Sequence, residues 1–250
     1  MPVELDQSPP LAEIVLADAT RRNAIDLAMF DALDLAIACI ARRDDIAAVI
    51  LRGDGKAFCA GFDLEAVVAE PSLMRTFIER LGSVNRSIRR LPMPVVAAVH
   101  GAALAGGCAL LSACDFVVVA PDATLGYPVH RIGVSPSVTT PLLAAAIGPG
   151  AARALLLSGD LIDGATAQRL GLATHVARSS ATTVEEARSL GRDLAAKAPL
   201  ALRATKRWLN ELDGSLRDDV FDGAVRASTQ LVGGREARSM LDAFWSARRA

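Results

Sequence analysis

The chain has 250 residues, 52% of them hydrophobic and 4% aromatic, with a formal net charge of -1. That length suits one large α/β domain, or a core with a smaller helical appendage, and the apolar content allows a sizeable core of Ala, Val, Leu and Ile. A near-neutral charge argues against a nucleic-acid partner, which needs a basic surface, but leaves room for a locally basic pocket for a phosphorylated small molecule. The four cysteines, Cys39, Cys59, Cys108 and Cys114, include no CxxC pair, and the three histidines are scattered. Reduced thiols in a cytoplasmic setting and no metal site are expected. The start, MPVELDQSPP, lacks the basic and apolar regions of a signal peptide. Leu91 to Cys114 carries no charge, but Pro92, Pro94, Gly101, Gly106 and Gly107 interrupt it. A buried strand, a glycine turn and a buried helix fit it better than a membrane span.

In chain order, Leu11 to Ala17 reads as a strand and Asp18 to Asn23 as a polar loop. Asp26 is the expected N-cap of a helix to about Arg42, with Met29, Phe30, Leu33, Ile37 and Ile40 at helical spacing. Ile46 to Leu51 is a continuous apolar run, the pattern of a parallel strand covered on both faces. A turn at Gly53 to Lys56 leads to a loop, Ala57 to Leu64, and then a helix from Pro71 to Leu91. Pro94 to Val99 is a second buried strand, followed by a glycine-bearing turn and a helix from about Cys108 to Cys114. Phe116 to Ala120 and Thr124 to Tyr127 read as strands. Helices are expected over Thr139 to Ile147, Ala151 to Leu157 and Ala165 to Leu170, with a short strand at His175 to Ala177. From Thr183 onward the pattern is helical, broken at Pro199, Gly214 and Gly233-Gly234. Strands alternating with helices argue for an α/β fold with largely parallel strands over residues 1–182, and the helical remainder, 183–250, forms a separate layer suited to oligomerisation.

Two segments place small residues after buried strands, where a backbone can approach a ligand: Lys56 to Leu64 (KAFCAGFDL) and His100 to Cys108 (HGAALAGGC), the latter opening a helix. A helix start has unspent N–H groups and a partial positive charge. One such N–H, paired with another from a second loop, can hold an oxygen that becomes negative during a reaction. Taken singly, each segment is as well explained by packing.

Together with Arg22-Asn23-Ala24-Ile25, the Cys114-Asp115 ending, the stretch SGDLIDGATAQRLGLATHV from Ser158 to Val176, and Ala243-Phe244-Trp245 with Arg248-Arg249, these segments resemble the crotonase superfamily of enoyl-CoA hydratases and isomerases. The resemblance spans nearly the whole chain in order. It implies a crotonase-like spiral of ββα units with a helical C-terminal trimerisation region, a homotrimer or dimer of trimers. It also implies an acyl-CoA thioester substrate, with coenzyme A as part of the substrate and no permanently bound cofactor. Carried over by position, Phe62 and Gly106 would donate the two oxyanion N–H groups. Ala24, Ala60, Asp63 and Leu64 would line the coenzyme A and acyl path, Arg22 would meet phosphate, and Phe244 and Arg248 of the last helix would contact coenzyme A.

The chain departs from the family where hydratases carry two glutamates: those positions hold Ala109 and Val129. Hydration needs a base for water and an acid for the α-carbon, which methyl and isopropyl groups cannot supply. His130, beside the second lost position, and Asp63, beside the first oxyanion donor, are candidate proton carriers, each with a plainer role as a surface or second-layer side chain or as a loop ligand. Tyr127 and Ser135 are polar candidates near the acyl group, Cys59 and Cys108 read as packing residues, and no Ser/His/Asp triad can be assigned. The resulting expectation is an enzyme of this family that stabilises a thioester enolate. The alternatives are a malonyl-type acyl-CoA decarboxylase, whose enolate needs no protein base, and a non-catalytic acyl-CoA binder. A dinucleotide-binding domain is disfavoured, since no GxGxxG follows the first strand.

Overall fold

The computed structural model describes residues 1–249, with side chains through Ala247. In chain order, β1 (Val3–Asp6) and β2 (Leu11–Leu16) precede α1 (Leu27–Ala41) and β3 (Ala48–Gly53). Next come α2 (Leu64–Ala69), α3 (Leu73–Arg89), β4 (Val95–Val99), β5 (Ala102–Leu104) and α4 (Gly106–Ser112). β6 (Phe116–Val119), β7 (Thr124–Gly126), α5 (Thr140–Ser158), β8 (Leu161–Asp163), α6 (Gly164–Leu170) and β9 (His175–Val176) follow. The chain ends with α7 (Thr183–Ala195), α8 (Pro199–Leu212), α9 (Asp218–Thr229) and α10 (Arg235–Arg249).

One sheet runs β1-β2-β3-β4-β6-β9, parallel except for the antiparallel β1–β2 pair, and a second runs β5-β7-β8. The unbroken apolar runs of β3 and β4 follow from cover on both faces. On one face Val49, Leu51, Val95 and Ala97 pack with α1 and α3 through Phe30, Leu33, Phe77 and Leu81. On the other, Ile50, Val96, Ala98 and Val118 pack against Ala187 and Leu194 of α7. Asp26 caps α1 as expected, its carboxylate accepting from the Met29 N–H at 2.8 Å. The expected pair of helices over 139–157 is present within α5, which breaks into two helical stretches at Gly148, where φ is 78° and ψ 155°. Three short strands, β1, β5 and β8, were not foreseen. Each is three or four residues long and exists through pairing with a distant segment rather than through its own pattern.

The C-terminal helices are tied to the core by an ion pair. Lys206 of α8 donates to Asp115 at 2.6 Å and to the Met93 carbonyl at 2.9 Å, while Asp115 also accepts from the Val95 N–H at the start of β4. Burial lowers the Lys206 pKa, and Asp115 opposes that shift.

Candidate active site

The two loops singled out in the sequence are stitched together. The Cys59 N–H donates to the Ala102 carbonyl and the Leu104 N–H to the Cys59 carbonyl, both at 3.0 Å, a parallel bridge that sets one loop beside the other. The contact is close: a Cβ on Gly107 would stand 2.4 Å from the Cys59 carbonyl oxygen, so only glycine fits there. The first loop turns at Gly61, whose φ is +94°, and is pinned to the segment before α1 by Ile25 N–H to Gly61 O at 2.8 Å and Asp63 N–H to Ile25 O at 2.9 Å.

That pattern leaves the Phe62 and Gly106 N–H groups, one on each loop, without a backbone acceptor among the described residues. The N–H groups of Cys59, Ala60, Asp63, Leu104 and Ala105 all have backbone acceptors. Among the described residues, the Phe62 N–H has no such acceptor, and Gly106 is the first residue of α4, where an N–H has no partner within the helix. The loops are near enough that a Cβ on Gly61 would lie 3.7 Å from the Gly106 nitrogen. Ala105, just before α4, has φ 50° and ψ -111°, a costly conformation for a residue with a Cβ. The Ala105 N–H to Gly126 O bond at 2.8 Å helps to hold it there.

Buried polar contacts fix the first loop. Asn23 is fully buried, and its amide donates to the carbonyls of Asp54, Ala57 and Phe58 while its oxygen accepts from the Asp18 N–H. Arg21 reaches Asp18, Asp26 and Asp63, linking the caps of α1 and α2. The Phe62 ring stacks edge-on against Phe77, with centroids 5.4 Å apart, and against Phe30 at 6.3 Å.

Both loops open on a cavity of about 1120 Å³. Phe62, Gly106, Ala24, Ala60, Asp63, Leu64, Tyr127, Ser135 and Phe244 all line it, as do the two positions without glutamate, Ala109 and Val129. Arg22 and Arg131, both exposed, put positive charge on its wall. His130 is exposed and does not line the cavity. Asp63 lines it, but its carboxylate is engaged. One oxygen caps α2 by accepting from the Glu65 and Ala66 N–H groups, and the other accepts from Arg21 at 2.8 Å. Arg248 lies on α10, with its side chain outside the described residues. The sequence reading missed Arg21, Asn23, Glu65, Arg131 and Thr139, of which all but Asn23 line the cavity. An arginine or asparagine in a polar loop gives no local sign of a buried partner, although the positive φ of Asn23 suits that residue type.

Burial makes the thiols inert. It pushes Cys59 up to about 12 and Cys108 up to about 11, so neither ionises near neutral pH. Tyr127 is likewise pushed well above its ordinary value by burial and donates to the Cys108 carbonyl at 3.1 Å.

The enoyl-CoA hydratase/isomerase family model matches residues 6–244. The chain belongs to this family. It is 35% identical over 243 residues to a Thermus thermophilus protein that carries an enoyl-CoA hydratase name, covering 95% of each chain. It is 29% identical to the Delta(3,5)-Delta(2,4)-dienoyl-CoA isomerase of Dictyostelium discoideum, over 91% of this chain and 81% of that one. An enoyl-CoA hydratase/isomerase structure from Xanthobacter autotrophicus Py2 superposes with a TM-score of 0.86 at 27% identity, covering 99% of this chain and 98% of the other. The crotonase fold expected from the sequence is therefore the fold of this enoyl-CoA hydratase/isomerase family member.

Proposed function

We propose that this family member binds an acyl-CoA thioester with its carbonyl oxygen between the Phe62 and Gly106 N–H groups, and that it works on the enolate so stabilised. One observation supports the reading: Phe62 and Gly106, whose N–H groups have no backbone acceptor among the described residues, sit on loops bonded to each other and line one cavity. Such donors count most when charge builds on the oxygen in a site that excludes water. Arg22 and Arg131 supply charge suited to coenzyme A phosphates.

The two positions where family hydratases carry glutamate do not support two-carboxylate hydration. Ala109 and Val129 present methyl groups, and the Asp63 carboxylate is held by Arg21 and two backbone N–H groups. Decarboxylation of a malonyl-type thioester fits better. The C–C bond to the carboxylate breaks, its electron pair enters the enolate, CO2 leaves, and a proton from solvent adds to the α-carbon. The loss of both carboxylates, at Ala109 and Val129, also favours a second reading, a binder that holds the thioester without turning it over. Exposed Leu200, Trp208, Leu209 and Leu212 on α8 support self-association, for which a trimer or dimer of trimers is proposed, with light scattering after size exclusion as the check.

Purified protein is mixed with crotonyl-CoA and, separately, with methylmalonyl-CoA, while loss of the enoyl absorbance and release of CO2 are followed. CO2 release with crotonyl-CoA left intact supports the decarboxylase. Micromolar affinity for both without turnover supports the binder. Rapid hydration of crotonyl-CoA contradicts the account of the missing carboxylates, and failure to bind either thioester contradicts the whole reading.

A further inference from the structure

Beside Ala109 lies a cluster of three hydroxyls, Ser112, Tyr127 and Thr139, of which Tyr127 and Thr139 line the cavity. Ser112 Oγ donates to the Ala109 carbonyl at 2.7 Å, and Tyr127 Oη donates to the Cys108 carbonyl at 3.1 Å. Both protons are committed. Thr139 Oγ1 stands 3.4 Å from Ser112 Oγ and 3.5 Å from Tyr127 Oη, at the outer limit of a hydrogen bond. The residue is 1% exposed and lines the cavity. A buried hydroxyl whose two contacts both lie at the outer limit of a hydrogen bond is suited to a partner that arrives with the ligand.

Its location narrows that partner. Ala109 lies three residues after Gly106, one turn along the same face of α4, or ~4.5 Å along the helix axis. The hydroxyl cluster is anchored to the carbonyls of Cys108 and Ala109 on that turn. A thioester whose carbonyl oxygen sits at Gly106 would thus present its α- and β-carbons to this end of the cavity.

We propose that Thr139 is the specificity-determining residue of this cavity, its hydroxyl bonding a hydroxyl or keto oxygen on the β-carbon of the bound acyl group, so that oxygen-bearing acyl thioesters are selected over plain hydrocarbon ones. The inference rests on the acyl-CoA reading above. A keto oxygen would accept the Thr139 proton, and a hydroxyl substituent could donate to Thr139 Oγ1 as well. A hydrocarbon acyl group leaves the threonine under-bonded, and a site built around a polar partner discriminates against the analogue that lacks it.

The test compares Kd values by titration calorimetry for butyryl-CoA, 3-hydroxybutyryl-CoA and acetoacetyl-CoA. The wild type is expected to bind at least one of the oxygenated thioesters about tenfold more tightly than butyryl-CoA, the factor one hydrogen bond supplies. Thr139→Val, close in shape but without the hydroxyl, is expected to bring that ratio near one, and Thr139→Ser to retain it. Thr139→Ala serves in place of the valine variant should its melting curve show a disturbed fold. Equal wild-type affinities for all three ligands, or a preference that survives loss of the hydroxyl, overturn the assignment of Thr139 while leaving the acyl-CoA reading intact. Binding of none of the three overturns that reading and this inference with it.

Discussion

Replacing Gly106 with proline tests the paired donors, because the structure separates the donor from the space it occupies. Gly106 is the first residue of α4, a position that tolerates proline because its N–H has no helical partner to lose. A Cβ there would meet the Phe62 ring at 3.1 Å and the Ile25 side chain at 3.4 Å, both movable groups, so a shift of a few tenths of an ångström is required. Gly106→Ala adds the same Cβ and keeps the N–H, which makes it the matched control. Losing one oxyanion donor costs about 10²–10³ in rate, or ~3 kcal/mol. Gly106→Pro should therefore lower kcat/KM for CO2 release from methylmalonyl-CoA at least ~100-fold, and Gly106→Ala by less than ~10-fold. Thermal melts of both proteins establish that they fold, because the strained Ala105 precedes the substitution. A folded Gly106→Pro protein as active as Gly106→Ala would refute the role of this N–H.

Other outcomes follow from the same contacts. Asn23→Asp replaces a donor to three carbonyls with a carboxylate facing them, and should destabilise the fold by ~3 kcal/mol or more in a urea titration. Ala105→Gly removes a Cβ from a residue at φ 50°, and should raise stability by about 1 kcal/mol. Glu13 is held below its ordinary value chiefly by its hydrogen bond to Arg188, with Arg52 assisting. Because the folded-state pKa is depressed, this stabilisation is present above the ordinary value of 4.5 and is lost as pH falls through the lower folded value. Glu13→Gln should flatten the acid side of the stability–pH curve below that value, and an unchanged curve would show that the pair contributes nothing.

Much of the proposed site was legible in the sequence because the chemistry proposed for it is carried by backbone. Gly61, Gly106 and Gly107 stand out in any reading, since close approach and a positive φ leave few other residue types open. The sheet was legible where burial is two-sided, as in β3 and β4. What escaped was the result of distant pairing. β5 read as part of a turn because its order comes from β7, and α4 begins at Gly106 rather than near Cys108 because the bond from Ala105 to Gly126 fixes the preceding residue. Asn23 read as part of the Arg22–Ile25 motif with no role of its own, although it holds the first loop by three carbonyls. His130 and Asp63 drew notice as ionisable neighbours of the critical positions. Only the fold shows that one is outside the cavity wall and the other is occupied by Arg21.

The most direct measurement is the infrared band of a carbonyl-13C-labelled acyl-CoA, recorded free and bound to this protein. Two N–H donors on one thioester oxygen weaken the C=O bond, so the band is expected to move to lower frequency on binding and to move back part of the way in Gly106→Pro. A bound ligand whose carbonyl band stays at its solution position would contradict the convergence of residues 62 and 106 on that oxygen.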